Sequence, residues 1–187
     1  SSTSRGLGDV YKRQPIIKKI RKLEKPIICA VNGVAAGAGA SIALSCDIVI
    51  AKENASFVQA FSKIGLIPDS GSTYFLPRLI GMNKASALMM TGEAISAKEA
   101  ERIGMIYKVF SEETFEEETI KLANKLANMP TKALALTKNL LNLSLTNSLE
   151  KQLDDEENHQ VIAGNTNDYK EGVNSFLEKR KPNFKGN

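Results

Sequence analysis

The stretch KPIICAVNGVAAGAGASIALSCDIVIA, Lys25–Ala51, decides how this chain is read. Its first part, Ile27 to Val31, is a continuous apolar run of strand length, stopped by Asn32-Gly33. A run with no polar alternation predicts a strand covered on both faces. Ala35 to Ser45 is built almost wholly of Ala, Gly and Ser, and predicts a turn leading into a tightly packed helix. Asp47-Ile48-Val49-Ile50-Ala51 predicts a second buried strand. A strand, a glycine-rich turn, a helix and a further strand make an α/β unit with parallel pairing, because only a crossover of this length brings the second strand back in the same direction.

Upstream of this unit, Ile16, Ile17, Ile20 and Leu23 recur at helical spacing among lysines, and Pro26 ends the segment. Residues 1–14, SSTSRGLGDVYKRQ, show neither a helical nor a strand period and are expected to be a flexible or non-native leader. Downstream of Pro68 the pattern turns helical. Ser96 with Glu99 forms a capping box, Ile106, Val109 and Phe110 form a brief extended segment, and Phe115, Leu122 and Leu126 share one helical face. Ala133, Leu136, Leu140 and Leu143 share another, with Thr131 as its expected N-cap, and two more helices are expected over residues 148–164 and 168–181. The expected layout is a leader over 1–14, an α/β core over 15–110 and a helical region over 111–187.

Bulk composition narrows the function classes. Of the 187 residues 42% are hydrophobic and 25% charged, which is enough apolar material for a core. The formal charge of +4 suits an anionic ligand, but the lysines are scattered among acidic residues, which describes a mixed solvated surface rather than a nucleic-acid patch. No apolar run approaches the length that crosses a membrane. Cys29 and Cys46 sit in apolar runs without metal-ligand spacing and read as small buried side chains. His159, the only histidine, lies in the polar run DDEENHQ and reads as a surface residue. Metal and Ser/His/Asp chemistry therefore have no candidate, and a cytoplasmic setting is expected.

The glycines carry the chemical signal. Gly33, Gly37 and Gly39 follow a strand and precede a helix in the order G-x-x-x-G-x-G. A dinucleotide fingerprint requires G-x-G-x-x-G, and a P-loop requires Gly-Lys-Ser/Thr, so neither nucleotide reading fits. Two readings stay open: close helix–sheet packing, or an oxyanion hole in which small side chains let a carbonyl approach free N–H groups at a helix start.

The Lys25–Ala51 stretch resembles the signature of the enoyl-CoA hydratase/isomerase (crotonase) family. The resemblance extends over FVQAFSKIGLIPDSGSTYFLPRLIG, TGEAISAKEAERIGMIYKVF and the ending FLEKRKPNFKG, from about Pro15 to Asn187. It implies a spiral of ββα units, N-terminally truncated here, with a C-terminal helical trimerisation region. It also implies an acyl-CoA substrate, no cofactor beyond the coenzyme A that the substrate carries, and a homotrimer or hexamer. One oxyanion donor maps onto the backbone N–H of Ala38, supported by Gly37 and Gly39. The second would come from the segment that precedes Pro15 in complete members.

The same resemblance places Ser41 and Phe61 where typical hydratases carry two glutamates, so the two-carboxylate hydration route is not expected. Asp69, in LIPDSGST, then stands at the position of the catalytic aspartate of several isomerases, closest to the phenylacetyl-CoA ring-epoxide and enoyl-CoA isomerases. From pattern alone, Asp69 reads as a turn residue capping the next helix. Phe57, Phe61, Leu66 and Ile67 are expected to give it an apolar pocket that raises its pKa, with Phe61, Leu66 and Ile67 lining the substrate. Phe176 and Lys179 fall where relatives contact coenzyme A, Phe on adenine and Lys on phosphate. The expected reaction is an acyl-CoA isomerisation; a hydration, or a silent acyl-CoA-binding or trimer-forming fragment, are the alternatives.

Overall fold

The computed structural model describes residues 13–187; residues 1–12, most of the expected leader, lie outside the described residues. Residues 13–22 are helical (α1), so Arg13 and Gln14 continue the helix that the isoleucine spacing predicts. The elements that follow are β1 (Ile28–Val31), β2 (Val34–Ala36), α2 (Ala38–Ser45), β3 (Ile48–Lys52), β4 (Ser56–Val58), a 3₁₀ turn (Ala60–Ile64), α3 (Ser72–Ile80), α4 (Met82–Thr91), β5 (Ala94–Ser96), α5 (Ala97–Arg102) and β6 (Lys108–Phe110). The helices α6 (Phe115–Ala127), α7 (Thr131–Leu143), α8 (Leu149–Gly164) and α9 (Asn167–Leu177) complete the chain.

The chain divides into two compact units: residues 1–21 with 27–119, and residues 22–26 with 120–187. In the first, β1-β3-β6 form a parallel sheet and β2-β4-β5 form a second sheet. Ile28 pairs with Ile48 and Val31 with Ala51, which confirms the parallel unit read from Lys25–Ala51. The pairs β1–β2 and β3–β4 each give one strand to each sheet before a helix follows, as in the expected ββα repeat, whereas α5 separates β5 from β6. The second sheet is the part that the pattern does not show. Its strands are three residues long, too short to display a period of two, and Val34–Ala36 reads as turn when taken alone.

The core is made by Val49, Ala51, Phe57, Leu76, Ala40, Ala43 and Leu44. Small residues on α2 let it lie close to the sheets, and burying Phe57 stabilises the fold by about 2–3 kcal/mol. One reading needs correcting. β1 is not covered on both faces: Ala30 is exposed and Ile28 and Cys29 are half-buried. Among the described residues β1 pairs only with β3 and forms an edge of its sheet; β3, whose Val49, Ile50 and Ala51 are buried, has strands on both sides. Arg21 and Asp47 hold the segment before β1. The guanidinium donates to Ser45 O at 2.9 Å and Asp47 Oδ1 at 3.0 Å, while Ile27 N–H donates to Asp47 Oδ2 at 2.8 Å.

In the second unit α7 packs on α8 and α8 on α9. Ser148 and Thr166 cap α8 and α9 by accepting from Lys151 N–H and Tyr169 N–H. The expected Thr131 cap is not formed. Pro130 occupies the N-cap position and Thr131 is the first helical residue, since a proline without an N–H loses nothing just outside the helix. The buried Asp168 carboxylate accepts from Lys185 N–H at 2.7 Å and Gly186 N–H at 2.8 Å, folding the chain end back onto α9. Among the described residues, no helix is long and apolar enough to cross a membrane.

Candidate active site

Gly37 sits between β2 and α2 with φ 52° and ψ −121°, a backbone conformation open to glycine and strained for other residues. Its own N–H donates to Val58 O at 2.9 Å, and its carbonyl accepts from Ser41 N–H at 3.1 Å. The turn is thereby clamped on both sides, and it launches α2 with Ala38 as its first residue. The Ala38 N–H has no acceptor among the described residues, as the first amides of a helix generally do not. Gly37 and Gly39 differ in kind. A side chain on Gly39 would meet open space at an ordinary φ, so only Gly37 is demanded by backbone geometry.

Ser41 and Phe61 both lie beside this turn. Ser41 is fully buried and its hydroxyl donates to Gly37 O at 3.1 Å, so it serves the helix and not an external proton. Phe61, buried in the 3₁₀ turn, puts its ring edge 3.7 Å from where a Gly37 side chain would begin. Neither residue offers a carboxylate, and the site has a hydrophobic wall where a second acid would stand.

Asp69 precedes α3. Its carbonyl accepts from Ser72 N–H at 3.0 Å, and its Oδ1 accepts from Ser70 Oγ–H at 3.0 Å. Ser70 holds φ 54°, left-handed without being glycine, and Gly71 follows at φ 79°. Two successive left-handed residues give the turn a fixed shape at an energetic cost of about 1 kcal/mol or more for the serine. The Asp69 side chain is 14% exposed, and Arg13 approaches its Oδ2 at 3.9 Å. The expected apolar shell is only half present. Phe57 and Phe61 are buried, but Leu66 and Ile67 are 55% and 82% exposed. Gly65, left-handed at φ 72°, ends the 3₁₀ turn, and residues 66–69 follow without regular structure.

Gln59 and Ser72 are absent from the sequence reading. Ser72 Oγ–H donates to Gln59 Oε1 at 2.9 Å, both side chains being buried, and Gln59 Nε2 has no partner among the described residues. A polar residue in FVQAF gives no local sign that it will meet another 13 positions on. Cys29 and Cys46, read as small buried side chains, are only half-buried. Cys46 Sγ–H donates to Ile42 O at 3.5 Å, and the influence of each thiol on the other holds Cys29 below the ordinary thiol range and pushes Cys46 up. No cluster of three His, Cys, Asp or Glu side chains suited to a metal ion occurs among the described residues.

Phe176 and Lys179 belong to the second unit. Phe176 is 82% exposed on α9. It borders an open apolar groove of about 560 Å³ lined with Pro130, Tyr169, Val173, Leu177 and Phe184. Lys179 stands just past the helix end at φ 55°. Its N–H donates to Phe176 O at 3.2 Å and Arg180 N–H to Ser175 O at 3.0 Å, the bonding of a Schellman cap whose left-handed position usually holds glycine. Arg180 beside it is pinned by Glu171 at 2.6 Å and 2.9 Å, and this guanidinium holds the Glu171 carboxyl down at about 2. The Lys179 ammonium makes no ion pair among the described residues. His159 bridges Asp155 O at 2.7 Å and Asn139 Oδ1 at 2.8 Å, a helix-to-helix brace.

Comparison with known proteins agrees with this architecture. The profile of the family described as Enoyl-CoA hydratase/isomerase matches residues 10–187. The chain is 51% identical over 172 residues to the 1,2-epoxyphenylacetyl-CoA isomerase of Escherichia coli K12, covering 92% of this chain and 66% of that protein. It is similar to the crystal structure of an enoyl-CoA hydratase from Polaromonas sp. JS666, with TM-score 0.90 and 39% identity over 94% of this chain and 68% of the other. An enoyl-CoA hydratase from Bacillus anthracis superposes with TM-score 0.94 at 34% identity, covering 98% and 71%. The chain thus spans about two thirds of the length of these relatives.

Proposed function

We propose, because this chain belongs to the enoyl-CoA hydratase/isomerase family, that it carries the enolate-binding amide and the proton-moving carboxylate of an acyl-CoA isomerase. The observation that carries the reading is the composition of the site. A free helix-start amide, Ala38, is aimed by the Gly37 turn, the two neighbouring acid positions hold Ser41 and Phe61, and the remaining carboxylate is Asp69. Asp69 takes the proton from the carbon next to the thioester. The C–H electron pair moves into the carbonyl, and the developing oxyanion accepts from Ala38 N–H, whose position at a helix N-terminus also favours negative charge. Protonated Asp69 then returns the proton further along the conjugated system and the carbonyl re-forms. One proton has moved, no atom has been added, and Asp69 is again a carboxylate. No cofactor takes part beyond the coenzyme A of the thioester.

The bond shifted is a chain double bond or, as the named Escherichia coli relative suggests, a ring-epoxide bond. Phe61, with Leu66 and Ile67, supplies apolar surface for the acyl group, the latter two remaining open until it binds. The relatives named as hydratases support the second reading, and one experiment separates the two. A 2-enoyl-CoA, a 3-enoyl-CoA and a ring-epoxide phenylacetyl-CoA are each incubated with the chain in D2O containing ¹⁸O-water. Isomerisation predicts a rearranged product without ¹⁸O, whose moved hydrogen is the substrate's own or, where protonated Asp69 exchanges with solvent, deuterium. Incorporation of ¹⁸O at the β-carbon would establish hydration, and no product from any of these substrates would leave only a binding module.

Phe176 and Lys179 are the proposed coenzyme A contacts, Phe stacking on adenine and Lys pairing with phosphate. The left-handed backbone of Lys179 supports this, since a residue kept in a glycine position at a cost in stability is kept for its side chain. Lys179→Gly is therefore expected to raise unfolding free energy by about 1 kcal/mol while weakening coenzyme A binding roughly fivefold or more, with a shallower salt dependence. Thermal melts and calorimetric titration at two ionic strengths check both halves; unchanged affinity would remove Lys179 from the site. The apolar side chains exposed on α8 and α9 support assembly through this helical region into a homotrimer or hexamer. A cytoplasmic setting accords with two free cysteines.

A further inference from the structure

We infer that Gln59 and Ser72 form a positioning pair that sets the Asp69 carboxylate relative to the Ala38 amide; the inference rests on the proposed role of Asp69. Residues 66–69 lie in no helix or strand, and Leu66 and Ile67 are exposed, so the stretch leading to Asp69 has no ladder of its own to hold it. Besides the packing of α3 on α2, the Asp69 turn is tied to its unit by a part-exposed contact to Arg13 at 3.9 Å and by the buried Ser72 Oγ–H···Oε1 Gln59 bond at 2.9 Å. The second is the stiffer link, being short, dry and between two short-tethered groups.

Its two ends lead to the two halves of the site. On one side, Gln59 directly follows Val58, whose carbonyl accepts from Gly37 N–H at 2.9 Å, and Gly37 aims Ala38. On the other side, Ser72 N–H donates to Asp69 O at 3.0 Å, and Ser70 Oγ–H donates to Asp69 Oδ1 at 3.0 Å. A path of hydrogen bonds and one peptide link therefore runs from the amide turn through Val58, Gln59 and Ser72 to the main-chain carbonyl of Asp69, whose carboxylate Ser70 Oγ–H holds. Gln59 is 2% exposed, and its Nε2 has no acceptor among the described residues. The amide makes one directed side-chain bond and is poorly explained by packing, since an apolar side chain of equal volume would fill the same space without an unpaired polar atom. Neither residue touches the reacting atoms in this scheme; both act through Asp69.

The test uses Gln59→Met, which keeps volume and loses the amide, Ser72→Ala, and the double variant, each made in the full chain. Each single change is expected to lower kcat about tenfold with KM within twofold, because a carboxylate displaced by a fraction of an ångström loses alignment and not affinity. The double variant should lose no more than the worse single one, since both remove the same bond. In chain labelled with ¹³C at aspartate carboxyl carbons, the Asp69 line, assigned by its disappearance in Asp69→Asn, should be single and sharp in the unsubstituted protein and broadened or split in each variant. Losses that multiply in the double variant, kcat within twofold of the unsubstituted protein, or an unchanged Asp69 line would each overturn the inference. Ser72→Ala alone carries the test if Gln59→Met unfolds. If the unsubstituted chain shows no Asp69-dependent turnover, the functional reading fails, while the ¹³C line still decides whether the pair holds this side chain.

Discussion

Asp69→Asn is expected to lower turnover by about 10³-fold or more while leaving acyl-CoA affinity within about twofold. The amide keeps the size and shape of the carboxylate, and the oxygen that accepts from Ser70 Oγ–H remains available. What it loses is the ability to take and return a proton, which in a positioned general base contributes roughly 10²–10⁴ in rate. With Ser41 and Phe61 in the neighbouring acid positions, no second carboxylate takes over. The 3.9 Å contact with Arg13 loses its charge partner, but Arg13 is part-exposed and that contact contributes little to stability. A melt within a few degrees of the unsubstituted protein, an unchanged dissociation constant for a non-reactive acyl-CoA and the absence of deuterium exchange next to the thioester together constitute the expected result. A kcat within tenfold would exclude Asp69 as the proton carrier.

Gly37→Ala is expected to have the second largest effect, and for a different reason. The space is available, since the new methyl would meet only the Phe61 ring edge at 3.7 Å and 3.9 Å, ordinary contact distances. The backbone is the obstacle. At φ 52° and ψ −121° an L-residue costs about 1–3 kcal/mol, and the chain relieves that strain by rotating the peptide that carries the Ala38 N–H. A misdirected oxyanion donor costs about 10²–10³ in kcat. The expected variant is folded, melts several degrees lower, binds acyl-CoA with little change and turns over slowly. Catalysis surviving intact in a destabilised protein would show that Gly37 serves the turn alone and that the enolate is held elsewhere.

Both predictions concern residues that stand out in the sequence, although for unequal reasons. Gly37 belongs to a small-residue stretch between two apolar runs, a pattern produced by local physics, and the parallel β1–α2–β3 unit followed from that stretch alone. Asp69 is different. Its own neighbourhood reads as a capped turn, and its elevation to a candidate depended on the family resemblance and on the missing acids at positions 41 and 61. Leu66 and Ile67, read as pocket residues, are exposed, because hydrophobic character states what a side chain prefers and not which way a chain leaves a 3₁₀ turn. Gly65 decides that direction through a single left-handed residue.

Sequence by itself determined the elements whose signals are local: the apolar strands β1 and β3, the Ser96 cap and the helices of the second unit. These depend on side-chain period and on hydrogen bonds spanning three or four residues. Tertiary structure alone decided the second sheet, whose strands are shorter than any period they could display, and the left-handed stations at Ser70 and Lys179. It also decided the bond between Gln59 and Ser72. Such features arise when distant segments are pressed together, so their energy resides in contacts that no window of neighbouring residues contains.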